Sequence, residues 1–379
     1  MNMYSYKVLN HINEIDASSW DALFDDNPFT KHAFIYACEA SLSATKKTGW
    51  IAHHLLIYHN ETLITIIPGY LKTHSYGEYV FDWSWAEAYK EHGLDYYPKW
   101  IGAIPFTPIE GVRLAYNKTI SPLLYQFIST TLEQLAQKNK WSGWHFNFCD
   151  KKTSKQLKQY KITPRLGVQF QWFNKSYQDF NGFLSKLTAR KRKNIRKERK
   201  KVLDQDIKIE WLNGHEISDE LIIQFVAFYQ RTYLKRSGHL GYLNADFFSL
   251  LKQNMPKNLV IMTAKKSEKL IAATWSLKSS DTLYGRYWGA NEQCDLLHFE
   301  LCYYQGIEYC INNDLKCFHS GAQGEHKIAR GFEPVFTYSN HKIMHPDFAL
   351  AIDDFLQRET LHMRGYFKNC QALSPFKKP

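Results

Sequence analysis

The stretch His319-Ser-Gly-Ala-Gln-Gly-Glu-His326 brings two imidazoles, a carboxylate and a carboxamide into one short run of chain. Glu325 and His326 can accept a proton, Gln323 can orient a carbonyl, and His319 opens the corner. Gly321 and Gly324 let backbone N–H groups face inward, where a developing oxyanion would be held. Such a set suits a group transfer in which a nucleophile loses a proton as the oxyanion forms. The apolar Leu315 to His319 reads as a strand and Glu325 to Ala329 as a helix, so the corner lies where α/β proteins place ligands. The plainer reading also stands: Glu325 is favoured by the helix dipole in a first turn, and His326 is a solvated helix residue.

Other polar residues suggest further contacts. His298 and Glu300 flank Phe299 at the start of a helix through Ile311. Residues two apart on a helix do not face each other, so the pair makes no metal site alone. No HExxH or comparable ligand spacing occurs, and no metal is expected. Arg286, on an aromatic strand, can pair with a carboxylate or phosphate in a pocket, or equally with an acidic neighbour on the sheet. In the first half, Tyr79-Val-Phe-Asp-Trp-Ser-Trp85 alternates as a strand would, with Asp82 on the face opposite the rings. Asp82 with Tyr97 and Trp100 forms a candidate substrate site, since aromatics beside a carboxylate suit a sugar or an amine.

The net charge is +11 over 379 residues, and ten Lys/Arg fall between Lys186 and Lys201 against Glu198 alone. The remainder of the chain is close to neutral. Cations this dense repel one another, and a merely solvating face would mix in acids, so a polyanionic partner is expected at Arg190, Arg192, Lys193 and Arg196. A solvated helix face is the alternative. The polyanion can be tRNA, another RNA, a nucleotide-linked precursor or anionic lipid.

The spacing predicts the elements that position these groups. Ile51 to Tyr58 and Thr62 to Tyr70 read as strands joined at Asn60. Pro122 to Lys138 reads as a helix, and Trp141 to Cys149 as an aromatic strand. A basic helix over about 177–203 recurs in Leu184, Leu187, Ile195 and Val202, which gives it one narrow docking face. Three consecutive antiparallel strands follow over Leu259 to Tyr287. Strand, helix, proline and strand recur in the same order around Pro164 and Pro334, which points to a duplicated unit. Residues 1–174 and 175–379 are the expected halves.

Apolar residues make up 44% and charged residues 22%, enough for packed cores and too apolar for global disorder. The seven cysteines are scattered without a CxxC pair, which supports neither a disulfide framework nor a zinc ribbon. The N-terminus lacks the order of a signal peptide, and no apolar run approaches membrane-spanning length. A reduced, cytoplasmic protein is expected.

Gly331-Phe-Glu-Pro334, closing a strand–helix–strand order, resembles the C-terminal part of the GNAT acyltransferase fold. Leu187-Thr-Ala-Arg-Lys-Arg-Lys-Asn-Ile-Arg-Lys-Glu-Arg199 resembles the arginine-rich helix of FemAB-like transferases. Gly285-Arg-Tyr-Trp-Gly289, His298-Phe-Glu-Leu-Cys302 and Gly321 to Pro334 resemble a bacterial group of N-acyltransferases related to FemAB. The resemblance implies an α/β (α+β) fold of tandem GNAT-like domains. It also implies transfer of an acyl or aminoacyl group to an amine on a small molecule or cell-wall precursor. No tightly bound cofactor is implied; acyl-CoA or aminoacyl-tRNA would be the donor. Arg286-Tyr-Trp-Gly-Ala-Asn291 is the nearest match to the pyrophosphate loop of acetyl-CoA enzymes and ends in Asn, whereas the basic helix suits tRNA. A non-catalytic RNA- or nucleic-acid-binding protein on a GNAT-like scaffold is the rival reading.

Overall fold

The computed structural model describes residues 4–116, 122–292, 294–322 and 324–377. The chain forms two compact units, Met1–Gly167 with Phe336–Gly365 and Val168–Val335 with Tyr366–Pro379. It therefore passes from one unit to the other after Gly167, Val335 and Gly365, whereas the sequence reading drew a single division at 174/175.

In the first unit a small antiparallel sheet joins Tyr4–Leu9, His54–His59, Thr62–Ile67 and Ala115–Tyr116. Residues 336–343 of the strand Glu333–Ile343, then Gly143–Cys149, Lys99–Gly102, Gly69–Lys72 and Trp50–Ala52, form a second set, in that order. The two long strands expected over 51–58 and 62–70 are each broken between these sets, at His53 and at Pro68. Proline has no N–H for a continuous ladder, so the second break is dictated locally. The turn between them is as expected, with Asn60 and Glu61 both at positive φ, 46° and 66°. Helix Pro122–Asn139 buries Leu124, Ile128, Leu132 and Leu135 at helical spacing against Trp144 and Phe146.

The expected strand over Tyr79 to Trp85 is instead a turn followed by the helix Trp83–Glu91. Tyr79 has a φ of 59°, which no strand contains. Trp85 and Tyr89, one helical turn apart, are the rings that enter the core. Their partners Phe348, Ile352 and Leu356 come from Pro346–Ala372, a long helix that the sequence reading left unassigned.

In the second unit the strand order is Ile207–Asn213, Leu259–Lys266, Lys269–Lys278, Thr282–Ala290, Cys317–His319 and residues 168–173 of the strand Thr163–Phe173. Neighbours are antiparallel except Thr282–Ala290 with Cys317–His319, which run parallel. The three consecutive antiparallel strands are thus present. The single basic helix expected over 177–203 is two helices, Phe180–Lys186 and Ala189–Leu203. The break comes where Leu187 bridges Phe376 and the Thr188 N–H donates to the Pro375 carbonyl at 2.9 Å. Leu184, Leu187, Ile195 and Val202 are all buried, so the narrow docking face survives the break. The helix Leu297–Asn312 carries a π turn at Glu300–Tyr304, a feature that often re-aims side chains at working sites.

Candidate active site

Pairing between the two parallel strands runs Thr282 with Cys317, Leu283 with Phe318 and Tyr284 with His319. It stops there, although the first strand continues to Ala290. On that strand's other edge Ser276 faces Gly285 and Trp275 faces Tyr287, so Arg286 is the extra residue of a β-bulge. A bulge bends its strand and redirects a side chain, and α/β folds take ligands beyond the carboxyl ends of their strands. The chain leaves His319 through Gly321 (φ 89°) and Gly324 (φ 113°) into the short helix Glu325–Arg330. Both values lie in the left-handed region that glycine tolerates. Gln323 lies outside the described residues.

His319 is buried, with Nε2 2.8 Å from Gln169 Oε1. The amide oxygen can only accept, so Nε2 holds the proton and Nδ1 is an acceptor, buried without a hydrogen-bond partner among the described residues. Burial, then the charges of Lys327 and Arg286, pushes the imidazole pKa down to about 3. At neutral pH His319 is an uncharged orienting group and a weak base.

Lys327, which the sequence reading passed over, is 1% exposed. Its Nζ donates to the Gly321 carbonyl at 2.6 Å and stands 5.9 Å from the Tyr303 ring centre. Among the described residues no carboxylate pairs with it. Burial draws its pKa down to about 7 against the weak opposing influence of Cys302. A lysine in so short a helix reads as solvent-facing. The one available signal was its place inside the Gly321 to Pro334 motif.

His326 Nε2 lies 2.8 Å from the Tyr303 hydroxyl. Burial, then Arg330 and Lys327, lowers its pKa, which leaves it an acceptor for that hydroxyl. His298 packs against Trp288 and Tyr303, with ring centres 5.4 and 5.6 Å away. Burial takes its pKa down to about 4. Glu325 is exposed and accepts from the Tyr366 hydroxyl at 2.6 Å. Thus His326, Tyr303 and His298 form one aromatic wall, whereas Glu325 faces a different partner.

Behind that wall two ion clusters fix the elements. Arg330 donates to Glu198 at 2.9 and 3.0 Å and to the Tyr304 hydroxyl at 3.0 Å, with its plane 3.6 Å from the Phe299 ring centre. Arg199 reaches Glu300 at 2.9 Å and Glu308 at 2.7 Å, and Gln305 donates to Glu300 at 2.7 Å. The buried Glu300, one of the expected substrate contacts, therefore spends its oxygens on holding the π turn to the basic helix.

The cations of that helix divide by position. Arg199, Lys200 and Lys201 are paired with acids. Arg190, Arg192, Lys193 and Arg196 form no ion pair within the described residues, and Arg190, Lys193 and Arg196 are exposed. The unneutralised positive charge sits in the first turns.

In the first unit Asp82 accepts hydrogen bonds from Lys99 and from the Tyr96 hydroxyl, the latter at 2.8 Å. The Tyr97 hydroxyl lies 2.8 Å from Ser75 Oγ. Trp100 is a core residue, donating to the His53 carbonyl at 3.0 Å and packing on Phe146. Strand alternation explains the separation, because Lys99 and Trp100 necessarily face opposite ways.

Residues 11–378 match the model of the FemAB-like family, described as peptidoglycan biosynthesis/recognition. The chain belongs to the FemAB-like family. Membership makes it an acyl- or aminoacyltransferase. No curated protein matches it in sequence. Among solved structures it is similar to the C-terminal DUF2156 domain of a protein named as a lysylphosphatidylglycerol synthetase from Agrobacterium fabrum. That match has 10% identity, covers 90% of this chain and 95% of the other, and has a TM-score of 0.53. FemX matches at 10% identity over 83% and 93%, TM-score 0.50. L-PGS from Bacillus licheniformis matches at 9% over 88% and 98%, TM-score 0.51. These likenesses concern the fold, which is the α/β, tandem GNAT-like, FemAB-like arrangement expected. Among the described residues no helix is long and apolar enough to cross a membrane. Among them, too, no group of three His, Cys, Asp or Glu is placed to hold a metal ion.

Within this family member the Arg286 to Asn291 stretch lies inside the strand Thr282–Ala290 and at its end, not in a loop that opens a helix. Its Gly289 has a packing role: a Cβ there would stand 2.4 Å from the Phe228 backbone. The helix Asp219–Ser237 approaches the strand at this point, and a side chain would push it away.

Proposed function

We propose that the glycine corner after His319 in the second unit transfers an aminoacyl group from aminoacyl-tRNA to a primary amine of a cell-wall precursor. The buried Lys327 is the observation that carries this reading. A lysine of pKa about 7 exchanges a proton readily at neutral pH, which an ordinary lysine does not.

In the proposed step the acceptor nitrogen attacks the acyl carbonyl carbon. The N–C bond forms, and the C–O bond to the tRNA ribose breaks. The proton shed by nitrogen passes to Lys327 and from there to the departing ribose oxygen. Gln323 and the N–H groups of the glycine corner would hold the carbonyl, and the His326–Tyr303 pair would form the wall beside it. His319 positions the strand end through Gln169 rather than taking the proton. Arg286, turned by its bulge, is assigned to donor phosphate.

The donor assignment rests on two observations. The exposed cations of Arg190, Lys193 and Arg196, with Arg192 beside them, suit a polyanionic carrier. The Arg286 to Asn291 stretch offers a packed glycine where a pyrophosphate loop would need an open one. The family's peptidoglycan description supports the acceptor class, and FemX and L-PGS share the fold. Nucleotide-linked precursors and charged tRNA meet in the cytoplasm, which is the proposed location.

The test is transfer of radiolabelled amino acids from a charged tRNA pool to amine-bearing muropeptide precursors, with acyl-CoA run in parallel. Incorporation from tRNA that falls on changing Lys327 to Met supports the reading. Incorporation from acyl-CoA alone would reassign the donor. Salt-sensitive RNA binding without transfer from either donor would favour the binding-protein alternative.

A further inference from the structure

The helix Lys151–Gln159 of the first unit carries charge that the transfer chemistry does not use. From Lys151 to Lys161 the chain has five lysines and no Asp, Glu or Arg. Lys151, Lys155 and Lys158 stand at i, i+4 and i+7, which is one stripe of a helix. Lys152 flanks the stripe and Lys161 follows the last turn, and all five residues are exposed. Thr153 and Leu157 lie on the opposite side and are buried, Leu157 in one core cluster with Trp144 and Phe146. The apolar face of the helix is thus spent on the core, and the charged face meets water.

Little neutralises this stripe. Among the described residues none of the five lysines forms an ion pair. Lys152 Nζ donates to the uncharged Tyr116 hydroxyl at 3.3 Å. Asp150, the N-cap, turns both carboxylate oxygens to Thr153, accepting from its N–H at 2.9 Å and its hydroxyl at 2.6 Å. Glu110, an acid whose field reaches Lys151, is half-buried, and burial and then Asp150 push its pKa up to about 7. Near neutral pH it cancels only part of one charge.

The stripe differs in kind from the basic helix of the second unit. There the unpaired cations are mostly arginines, whose planar forks grip phosphate oxygens in pairs. Here every cation is a lysine, a point charge on a flexible stem that can reach a common plane without fixed geometry. Tyr160, at the end of the helix, is stacked on Tyr125 with ring centres 5.8 Å apart, so its face is occupied within the chain and not offered to a base. Lysines alone, in a row and without a stacking platform, favour a flat anionic surface over a nucleic acid.

We infer that the lysine stripe of the helix Lys151–Gln159 docks the first unit on an anionic lipid surface. A basic cluster of this size on one helix face is held by a layer of anionic headgroups through charge. With the apolar face in the core nothing on this helix inserts, so the contact is reversible and weakens with salt. The surface does not rest on the transfer reaction assigned to the second unit, because binding is measured without turnover.

The probe is a vesicle of equal parts phosphatidylglycerol and phosphatidylcholine, with pure phosphatidylcholine as control, in flotation of the full chain. The protein is expected to float with the anionic vesicles in about 0.1 M salt and to stay behind in about 1 M, where charges are screened within about 3 Å. Lys151→Gln, Lys155→Gln and Lys158→Gln combined should weaken partitioning roughly 100-fold, about fivefold per lysine. Lys151→Arg, Lys155→Arg and Lys158→Arg, which keep the charge, should leave it near wild type. Arg190→Gln, Arg192→Gln and Arg196→Gln combined should weaken it far less than the three lysine-to-glutamine changes. Lys327→Met protein is expected to float like wild type, so loss of transfer and loss of this contact are separable. Equal binding to neutral vesicles would overturn the proposal, as would partitioning indifferent to the three glutamines. Glutamine variants that lose tRNA binding but still float would overturn it in favour of an RNA surface.

Discussion

Lys327 owes its properties to where the Gly321 corner puts it: out of water, on a carbonyl oxygen, with no carboxylate paired to it among the described residues. Lys327→Met is expected to reduce turnover about 10²- to 10³-fold in the transfer assay, the range for a positioned proton acceptor. The residual rate should lose the rise near pH 7 that is expected of the wild-type chain. Stability gives an independent reading. The folded pKa is about 7 and the unfolded one is the ordinary 10.5, so between these values the unfolded chain binds a proton that the folded chain does not. The contribution of Lys327 to stability is therefore lowest below pH 7 and rises as pH climbs from about 7 toward 10.5, by up to about 1.4 kcal/mol per unit. Lys327→Met should flatten this slope in denaturant titrations at pH 7, 8 and 9. An unchanged slope would mean that the ammonium stays charged in the folded chain. Composition could not announce any of this, because lysine at a solvated helix end and lysine in a dry corner look alike in sequence. Arg190, Lys193 and Arg196 met the expectation of exposure that Lys327 defied.

At the scale of elements, the basic helix has two jobs divided along its length. Its last turns are tied to acids of the same unit, and its first turns present free charge. Arg190→Glu, Arg192→Glu and Arg196→Glu combined should weaken RNA binding steeply and lower the salt slope by about 0.7–0.9 per lost contact. The fold should survive, since none of the three forms an internal ion pair among the described residues. Changing Glu300 to Ala is a different experiment. It strands Arg199 and loosens the π turn, and should cost about 1–3 kcal/mol in chemical denaturation while leaving RNA affinity near wild type. The docking face of this helix was legible because Leu184, Leu187, Ile195 and Val202 repeat at a helical period. One misread element and one turn inside a correctly read helix show where pattern fails. Tyr79 to Trp85 alternates for too few residues to outweigh the helical pair Trp85 and Tyr89. The π turn has no period of its own and is set by the Arg199 and Gln305 contacts of Glu300.

For the molecule as a whole, what matters is which segments each unit needs. Cys317–His319 takes residues 168–173 as its antiparallel neighbour, and His319 takes Gln169 as its hydrogen-bond acceptor. A fragment beginning at Lys175 would leave that strand an open edge and a buried imidazole unpaired. It is expected to be aggregated, or to show a broad, non-cooperative thermal transition by circular dichroism. A fragment joining 168–335 to 366–379 should melt cooperatively. Sequence order suggested halves that follow one another, and a duplicated strand–helix–proline–strand order is consistent with an ancestry of that kind. What the linear pattern could not show is that the long strands around Pro164 and Pro334 each carry the chain across.

The crossings after Gly167, Val335 and Gly365 also govern how the protein is made. A ribosome that has released the first 167 residues has not yet supplied Phe336–Gly365, so the N-terminal half waits with one of its sheet neighbours and Ile352 and Leu356 missing. The other half waits longer still, for Cys370 and Phe376. The second unit's core therefore cannot close before Cys370 and Phe376 are made, and the Trp85, Tyr89 and Tyr96 rings of the first wait uncovered for Ile352 and Leu356.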